Sequence, residues 1–321
     1  VMGHDLGRSN LRSTHWLHRR VDVDYNGWWM CLIPTAVIHE IGLSLPLFLK
    51  WDDAEYGLRA KEAGFPTVSF PGAGVWHVSW TDKDDSVGWQ AYYHERNRLI
   101  TALLHSPFDK GGRVMLDSLF LDVKHTLSMQ YYTEAGRLMA LEDLLSGPEH
   151  LHESLSARLP QIRAMAAEYP ESQVKTDVDS FPTIKNKKPP FRGRRNFKSP
   201  GYKKLVPWTM NTLRRQLTKP MTGELKSHPQ IQLNYGESNW WTLSRFDSAL
   251  ATNAEGTGLF WYRRDPKQVR SKLIDATKLH ARLLKEWPTL RERYRNASAS
   301  VASYEAWAET FAKHTESELK R

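Results

Sequence analysis

The chain has 321 residues and a formal net charge of +9, with 40% hydrophobic and 25% charged residues. These values are typical of globular proteins and allow two or three domains with their own cores. The single cysteine, Cys31, excludes an internal disulfide and favours a reducing compartment. Prolines and charged residues interrupt the longest apolar region, residues 28–49, which excludes a membrane-spanning helix there.

Short strands and helices alternate between residues 24 and 74, which predicts the end of an α/β domain. The predicted elements are strands over 28–33 and 67–70 and helices over 35–41 and 53–63, the helices ended by Gly42 and Gly64. Cys31 falls inside the first of these strands, where we expect a buried and inert thiol.

The most informative motif is Lys50-Trp51-Asp52-Asp53-Ala54-Glu55, at the start of the second predicted helix. Asp52 fits the N-cap, with Glu55 as the returning partner of a capping box and Glu55 paired outward with Arg59. Asp53 then takes the first helical position, where free N–H groups and the helix dipole favour a carboxylate that can accept a proton. The structural alternative is that both aspartates only cap the helix.

One candidate metal ligand, His77, follows the glycine-interrupted segment 71–74. A lone histidine beside aromatic residues is more often a hydrogen-bonded structural residue. As a metal ligand it would need carboxylate companions, which Asp52 and Asp53 could supply only in part.

Seven tryptophans lie in the first hundred residues, and the six between residues 28 and 89 suit either a core or the flat faces of a sugar site. Trp29 and Trp80 are the candidates for sugar contact. On the next predicted helix, His94 and Arg98 are four residues apart and could bind an anion or simply face solvent.

Residues 85–172 show helical periodicity. The predicted buried face of the first helix consists of Trp89, Tyr93, Asn97, Ile100 and Leu104, and longer helices are expected over 116–145 and 151–169.

Nine lysines and arginines lie between residues 185 and 204 without an acidic neighbour. Prolines and glycines interrupt this basic segment (residues 185–204), which predicts a linker or extended strap rather than a helix. Nucleic acid, an anionic membrane surface or the acidic patch of a neighbouring subunit could bind it, or it could be only a solvated linker.

The C-terminal region predicts a hairpin of strands 240–250 and 258–262 around residues 253–256. Asp265 and Pro266 then fit the N-cap and first position of a long helix that Pro288 ends, and a terminal helix covers 302–319.

Several of these motifs together resemble one enzyme family. They are Gly27-Trp28-Trp29, Gly42, Trp51-Asp52-Asp53-Ala54-Glu55, Leu58-Arg59, Gly64, His77 and Tyr93-His94-Glu95-Arg96-Asn97. The chain resembles the acceptor half of inverting, family-2 glycosyltransferases with the GT-A fold, and most closely the galactan-polymerising galactofuranosyltransferases of mycobacteria and corynebacteria. The resemblance covers the whole chain but only the C-terminal half of such an enzyme, so we expect a fragment.

The resemblance implies an α/β fold class with four regions. These are the C-terminal part of a GT-A catalytic domain (1–84), a helical domain (85–172), the basic linker (173–216) and a small α+β domain (217–321).

The resemblance also implies roles for individual residues. Asp53 would be the catalytic base and Asp52 would orient the acceptor sugar. His77 would be a ligand of the divalent metal, Mn²⁺ or Mg²⁺, that holds the nucleotide diphosphate. The remaining implied contacts are Trp29 and Trp80 to the acceptor, and His94 and Lys50 to the donor phosphates. The DxD motif Asp22-Val23-Asp24 is not assigned the metal-binding role that such a motif has upstream in the family.

The implied reaction is metal-dependent, inverting transfer of galactofuranose from UDP-galactofuranose to a galactan carried on a polyprenyl diphosphate. The resemblance further implies a homotetramer bound peripherally to the cytoplasmic face of the plasma membrane, with no nucleic-acid partner and little activity in the fragment alone. Two alternatives stay open: a family-2 transferase of another sugar, and a non-catalytic module that binds membrane or nucleic acid.

Overall fold

A computed structural model describes residues 8–70, 75, 87–184 and 197–319. These residues form a mixed α and β structure, as predicted. The helices are α1 (Thr35–Ile41), α2 (Asp52–Glu62), α3 (Gln90–His105), α4 (Arg113–Leu127), α5 (Tyr131–Ser146), α6 (His150–Met165), α7 (Tyr202–Thr218), α8 (Gly223–Ser227), α9 (Trp240–Leu243), α10 (Pro266–Val301) and α11 (Tyr304–Leu319). The strands are β1 (Val21–Val23), β2 (Thr67–Ser69), β3 (Ile231–Leu233), β4 (Ser248–Thr252) and β5 (Leu259–Arg263).

The N-terminal region joins a two-stranded antiparallel sheet, β1 and β2, to the helix pair α1 and α2. Val37, Tyr56 and Ala60 form the small core between the helices. The predictions of α1, α2 and β2 are confirmed to within one residue at each end.

The predicted strand over residues 28–33 is wrong, because this segment is a turn followed by irregular chain. Among the described residues, β1 pairs only with β2, and no strand lies beside the apolar run to complete its hydrogen bonds. Cys31 is consequently exposed rather than buried. Trp28 instead packs edge-on against the ring of Tyr56, with ring centroids 5.5 Å apart.

The main core lies between α3, α5 and α10. The predicted buried face of α3 is confirmed for Tyr93, Asn97, Ile100 and Leu104. The single helix predicted over 116–145 is wrong, because Met129 has a left-handed φ of 63° and separates α4 from α5.

Helix α10 begins where the sequence predicts, with Asp265 as N-cap and Pro266 as the first helical residue. Its predicted end at Pro288 is wrong, since the helix continues to Val301. Trp287 and Leu290, on either side of this exposed proline, are buried in the main core and hold the helix through it.

The C-terminal sheet has the order β3-β4-β5. The hairpin of β4 and β5 is confirmed, but the strand predicted from residue 240 begins only at Ser248, because residues 240–243 form α9. The periodicity did not reveal β3, whose three residues pair in parallel with the distant β4.

Helix α7 contradicts the prediction of a non-helical linker over its part of residues 173–216. Pro207 lies inside this helix, which packs through Thr212 and Gln216 against the rest of the chain. The side chain of Gln216 donates a hydrogen bond to the carbonyl oxygen of Leu127 at 2.7 Å, so tertiary contacts outweigh the proline. Residues 185–196 of the basic segment lie outside the described residues.

In the described part of the chain, no helix combines the length and the apolar character needed to cross a membrane.

Candidate functional site

The carboxylate pair of the sequence motif lies at the first turn of α2, after an unusual loop. Leu49 and Trp51 have positive φ angles of 70° and 66°, a region that residues other than glycine rarely adopt. Trp51, not Asp52, is the N-cap, so Asp52 and Asp53 are the first two helical residues and the predicted position of each is wrong by one. Both still lie at the positive end of the helix dipole.

The two aspartates have different surroundings. Asp53 accepts a hydrogen bond at Oδ1 from the backbone N–H of Ala54 at 2.7 Å, which orients its carboxylate at the start of α2. Burial raises the pKa of Asp52, and the negative charge of Asp53 adds to this. Backbone N–H groups of Asp52 and Asp53, and the charge of Lys50, oppose the shift without cancelling it. Asp52 therefore keeps its proton to a higher pH than an ordinary aspartate.

The loop before α2 is held by Asn97, a fully buried residue of α3. Its side-chain amide donates to the carbonyl oxygens of Phe48 at 3.2 Å and Lys50 at 2.7 Å. Asn97 is fixed in turn by Arg96, whose Nε donates to Asn97 Oδ1 at 2.9 Å. The sequence offered a signal for this role that we did not use, a polar side chain in the middle of a predicted apolar face.

Arg96 extends this network into the helical core. It is fully buried and donates from Nη1 to Ser154 Oγ at 2.8 Å and to the hydroxyl of Tyr92 at 3.2 Å. The backbone that places the two aspartates is therefore connected to α3 and α6 by hydrogen bonds between buried groups.

Helix α2 also carries the predicted pair of Glu55 and Arg59. The pair is confirmed, with Arg59 Nε 3.0 Å from Glu55 Oε1, but it faces inward and Glu55 is buried. Arg59 also donates to the carbonyl oxygens of Ile41 at 2.5 Å and Leu43 at 3.0 Å. Glu55 thus anchors α2 to the end of α1, and the expectation of a capping box with Asp52 is wrong.

His105, at the end of α3, contacts the same helix. Its Nδ1 lies 2.8 Å from Glu62 Oε1 and its Nε2 lies 3.4 Å from Glu55 Oε1. Burial lowers the pKa of His105, but hydrogen bonds to the two glutamates outweigh burial and leave the pKa raised. When it is protonated, the imidazole bridges two carboxylates of α2.

Of the other predicted site residues, three lie in the described part of the chain and two do not. His94 lies on α3 one turn before Asn97, which contacts the Lys50 carbonyl, so the structure brings this turn of α3 to the loop before the aspartates. Trp29 lies exposed on the loop after β1, and Arg98 is paired with Glu95 at 2.9 Å. His77 and Trp80 lie outside the described residues.

The described residues contain no group of three or more His, Cys, Asp or Glu side chains that could hold a metal ion. In the Asp22-Val23-Asp24 motif, Asp22 pairs with Arg20 at 2.8 Å and Asp24 pairs with Lys61. The described carboxylates alone therefore do not form a metal site, and the metal with its ligand His77 stays a prediction.

Comparison with known proteins shows that the sequence of this chain matches one family. Residues 114–313 match the family described as galactofuranosyltransferase-2, domain 3, and residues 6–102 match a glycosyltransferase-like family 2. The galactofuranosyltransferase GlfT2 of Mycolicibacterium smegmatis is 37% identical over 330 aligned residues, which cover 99% of this chain and 49% of that relative. GlfT2 of Mycobacterium tuberculosis is 37% identical over 307 residues, covering 94% of this chain and 47% of that relative. The chain thus spans about half the length of the curated relatives it matches.

Proposed function

The chain belongs to the galactofuranosyltransferase-2 family, and on this premise we propose that it forms the acceptor side of a GT-A glycosyltransferase. The proposed reaction moves galactofuranose from UDP-galactofuranose onto a growing galactan carried on a polyprenyl diphosphate. One structural observation carries the proposal, the pair of aspartates at the start of α2 behind a loop fixed by Asn97. Such a site can activate a hydroxyl group.

We propose Asp53 as the general base. An acceptor hydroxyl oxygen attacks the anomeric carbon while the bond from that carbon to the UDP oxygen breaks, and the hydroxyl proton passes to the Asp53 carboxylate. The attack from the face opposite UDP inverts the anomeric configuration. The ordered position of Asp53 supports this role, and Asp52 would orient the acceptor through a hydrogen bond.

The proposed contacts to the donor and the acceptor rest on the family resemblance and on the positions of the residues in the fold. The charge of Lys50 acts on Asp52 and would stabilise the leaving diphosphate, and we propose His94 of α3 as a second contact to the donor phosphates. Trp29 and Trp80 would contact the acceptor sugars through their flat faces. We propose His77 as a ligand of Mn²⁺ or Mg²⁺, which when bound would stabilise the negative charge of the diphosphate.

We further propose a homotetramer and a peripheral position at the cytoplasmic face of the plasma membrane. Exposed Phe108, Leu116 and Leu284 surround a cavity of about 500 Å³ between α4 and α10 and support self-association. The basic segment supports attraction to anionic lipid. The expected measurement is the mass of a tetramer in sedimentation, reduced by a Leu116→Asp substitution.

Substitution of Asp53 in the longest natural protein that contains this chain tests the reaction. We expect Asp53→Asn and Asp53→Ala to reduce galactofuranose transfer by about 10²–10⁴-fold, the usual contribution of a general base. Asp179→Asn, an exposed substitution between α6 and α7, is the matched control. Unchanged galactan synthesis in Asp53→Ala would contradict the catalytic role, and turnover of UDP-glucose alone would contradict the proposed donor.

A further inference from the structure

Residues 42–51 connect α1 to the two aspartates, and we call them the acceptor loop. The C-terminal part of the chain binds the first half of this loop. The backbone N–H of Leu43 donates to the carbonyl oxygen of Ala302 at 2.8 Å. Trp307 Nε1 donates to the carbonyl oxygen of Ser44 at 2.9 Å, a contact between residues 263 positions apart in the sequence. Ala302 is the C-cap of α10 and Trp307 lies near the start of α11, so the junction of these two helices contacts the loop.

The backbone of the acceptor loop approaches this junction too closely for a side chain to lie between them. Gly42 has a left-handed φ of 78°, and a Cβ at this position would lie 2.9 Å from the carbonyl oxygen of Ala302. Ala302 is fully buried, in the same core as Leu45 and Leu47 of the acceptor loop. The loop and the junction of α10 and α11 therefore pack together as part of the close-packed interior.

Trp307 is held in its orientation by α6. Its ring packs edge-on against the imidazole of His152, with ring centroids 5.3 Å apart. His152 Nε2 lies 2.8 Å from the carbonyl oxygen of Val301, and His152 Nδ1 lies 2.8 Å from Thr310 Oγ1. Because a carbonyl oxygen can only accept, Nε2 carries the proton of this hydrogen bond. His152 thus connects the end of α10 to α11 and supports the indole whose N–H binds the acceptor loop.

The two ends of the acceptor loop have different anchors. Asn97 of α3 binds the end next to the aspartates, whereas Ala302 and Trp307 bind the start. Leu49 and Trp51 have left-handed backbone conformations in this loop. Such conformations persist only where the surrounding structure holds them. Release of the start of the loop should therefore change the geometry at the aspartates.

We propose that Trp307 is a positioning residue for galactofuranose transfer, which holds the acceptor loop in the conformation that places Asp53. The inference rests on the proposed role of Asp53 as general base. Trp307 lies in the region that matches galactofuranosyltransferase-2, domain 3, and the acceptor loop lies in the region that matches the glycosyltransferase-like family. The hydrogen bond from Trp307 joins these two regions, so the acceptor site depends on the junction of α10 and α11.

Trp307→Phe tests this role in the longest natural protein that contains this chain. Phenylalanine keeps an aromatic ring beside His152 but has no N–H group for the Ser44 carbonyl. We expect kcat for galactofuranose transfer to fall about tenfold, because the base is no longer held in line with the acceptor hydroxyl. The matched control is Tyr304→Phe, which removes one hydroxyl group from an exposed residue of the same helix and should leave kcat unchanged.

The Michaelis constant separates positioning from general damage. The KM for UDP-galactofuranose should change by less than about twofold in Trp307→Phe, because Asn97 still binds the backbone of Lys50, the proposed donor contact. The double variant Trp307→Phe/Asn97→Ala should lose more kcat than the product of the two single losses, because both ends of the acceptor loop are then released. Losses that simply multiply would contradict a shared effect on the loop.

Amide hydrogen exchange measures the same contact without the reaction. In Trp307→Phe, the amides of the acceptor loop should exchange about tenfold faster, while those of α5 in the main core keep the wild-type rate. Tyr304→Phe should change neither rate. An equal rise at the loop and at α5 would show general destabilisation and would overturn the positioning role.

The remaining outcomes distinguish this inference from the proposed function. Unchanged exchange of the acceptor loop in Trp307→Phe overturns the inference, whatever the value of kcat. Faster exchange with unchanged kcat also overturns the positioning role but leaves Asp53 as the proposed base. Full transfer by Asp53→Ala overturns the proposed function, whereas faster loop exchange in Trp307→Phe would still show that the junction of α10 and α11 holds the loop.

Discussion

The side-chain amide of Asn97 donates a hydrogen bond to the carbonyl oxygen of Lys50 at 2.7 Å, across the gap between α3 and the loop that begins α2. The same amide binds the Phe48 carbonyl, so one buried residue fixes two backbone groups in the loop that contains the left-handed Leu49 and leads to Trp51. A strained backbone persists only where its surroundings hold it. Asn97 is therefore a positioning residue for Asp52 and Asp53.

Replacement of Asn97 by alanine should release this loop. The free energy of unfolding should fall by about 2–4 kcal/mol, because the two carbonyl groups and Arg96 Nε lose their partner. Galactofuranose transfer should fall by about 10–100-fold in kcat, because the aspartates lose their fixed geometry. Urea unfolding and steady-state kinetics measure the two effects. Asn211→Ala, exposed on α7, is the control, and full activity in a destabilised Asn97→Ala protein would contradict the positioning role.

The raised pKa of Asp52 predicts a pH-dependent difference in stability between wild type and Asp52→Asn. The folded state disfavours the ionised carboxylate relative to the unfolded state, whose pKa is near 3.8. Wild type should therefore lose stability relative to Asp52→Asn as the pH rises from 3.8 through the raised folded-state pKa, and the difference should stay constant above it. Urea unfolding between pH 3 and pH 8 measures it. A difference that grows in favour of wild type over this range would contradict the assignment.

His105 predicts the opposite kind of pH dependence. Its folded-state pKa is raised above 6.5, so its contribution is complete below pH 6.5 and is lost as the pH rises through the folded-state pKa. His105→Gln should lower the free energy of unfolding by about 1–3 kcal/mol at pH 6 and by less at pH 9. The exposed His39→Gln is the control. An equal loss at both pH values would exclude a protonated bridge to Glu55 and Glu62.

Local chemistry explains which elements could be predicted from the sequence. Some helix boundaries depend only on the local backbone, and the sequence predicts them correctly. Examples are the start of α10 at the N-cap Asp265 and the ends of α1 and α2 at the positive-φ Gly42 and Gly64. The carboxylate pair was also found, because its chemistry lies in adjacent residues. The exact N-cap was missed because the left-handed conformation of Trp51 depends on distant Asn97 contacts.

The errors share a different physical cause, since each depends on partners far away in sequence. The apolar run at 28–33 forms no strand, and in the part of the chain that the structure describes no second strand lies beside it to pair with. Helix α7 forms around Pro207 because Gln216 and Arg215 anchor it to remote elements. Periodicity reports which face of an element is apolar, but not whether another element is available to cover it.

Substitution of Pro288 tests directly how the helix-breaking preference of proline competes with packing of the core. A proline inside a helix removes one backbone hydrogen bond and strains the preceding turn. Because α10 is held through this point by Trp287 and Leu290, Pro288→Ala should raise the free energy of unfolding by about 1–3 kcal/mol. Thermal and urea unfolding measure the gain. A loss of stability would show that the core is built around a bend at Pro288.

Arg137 forms ion pairs with buried carboxylates in the helical core. It lies 2.6 Å from both Glu95 Oε2 and Asp122 Oδ1, and all three residues are buried together with Glu134. Burial raises the pKa of Glu134 well above its ordinary value. Burial also opposes ionisation of Glu95, but the charges of Arg137 and Arg98 outweigh it and hold the pKa of Glu95 below its ordinary value.

Arg137→Met should therefore be strongly destabilising. We expect a loss of about 3–5 kcal/mol near neutral pH, because the carboxylates would remain buried without their partner. The exposed pair of Arg282 and Glu286, 2.8 Å apart, supplies the control, since Arg282→Met should change stability by less than about 1 kcal/mol. The contribution of Glu95 exists above its unfolded-state pKa of 4.5 and disappears as the pH falls through its lowered folded-state pKa. The loss in Arg137→Met should accordingly shrink below pH 4.5, and a loss independent of pH would assign Arg137 a packing role instead.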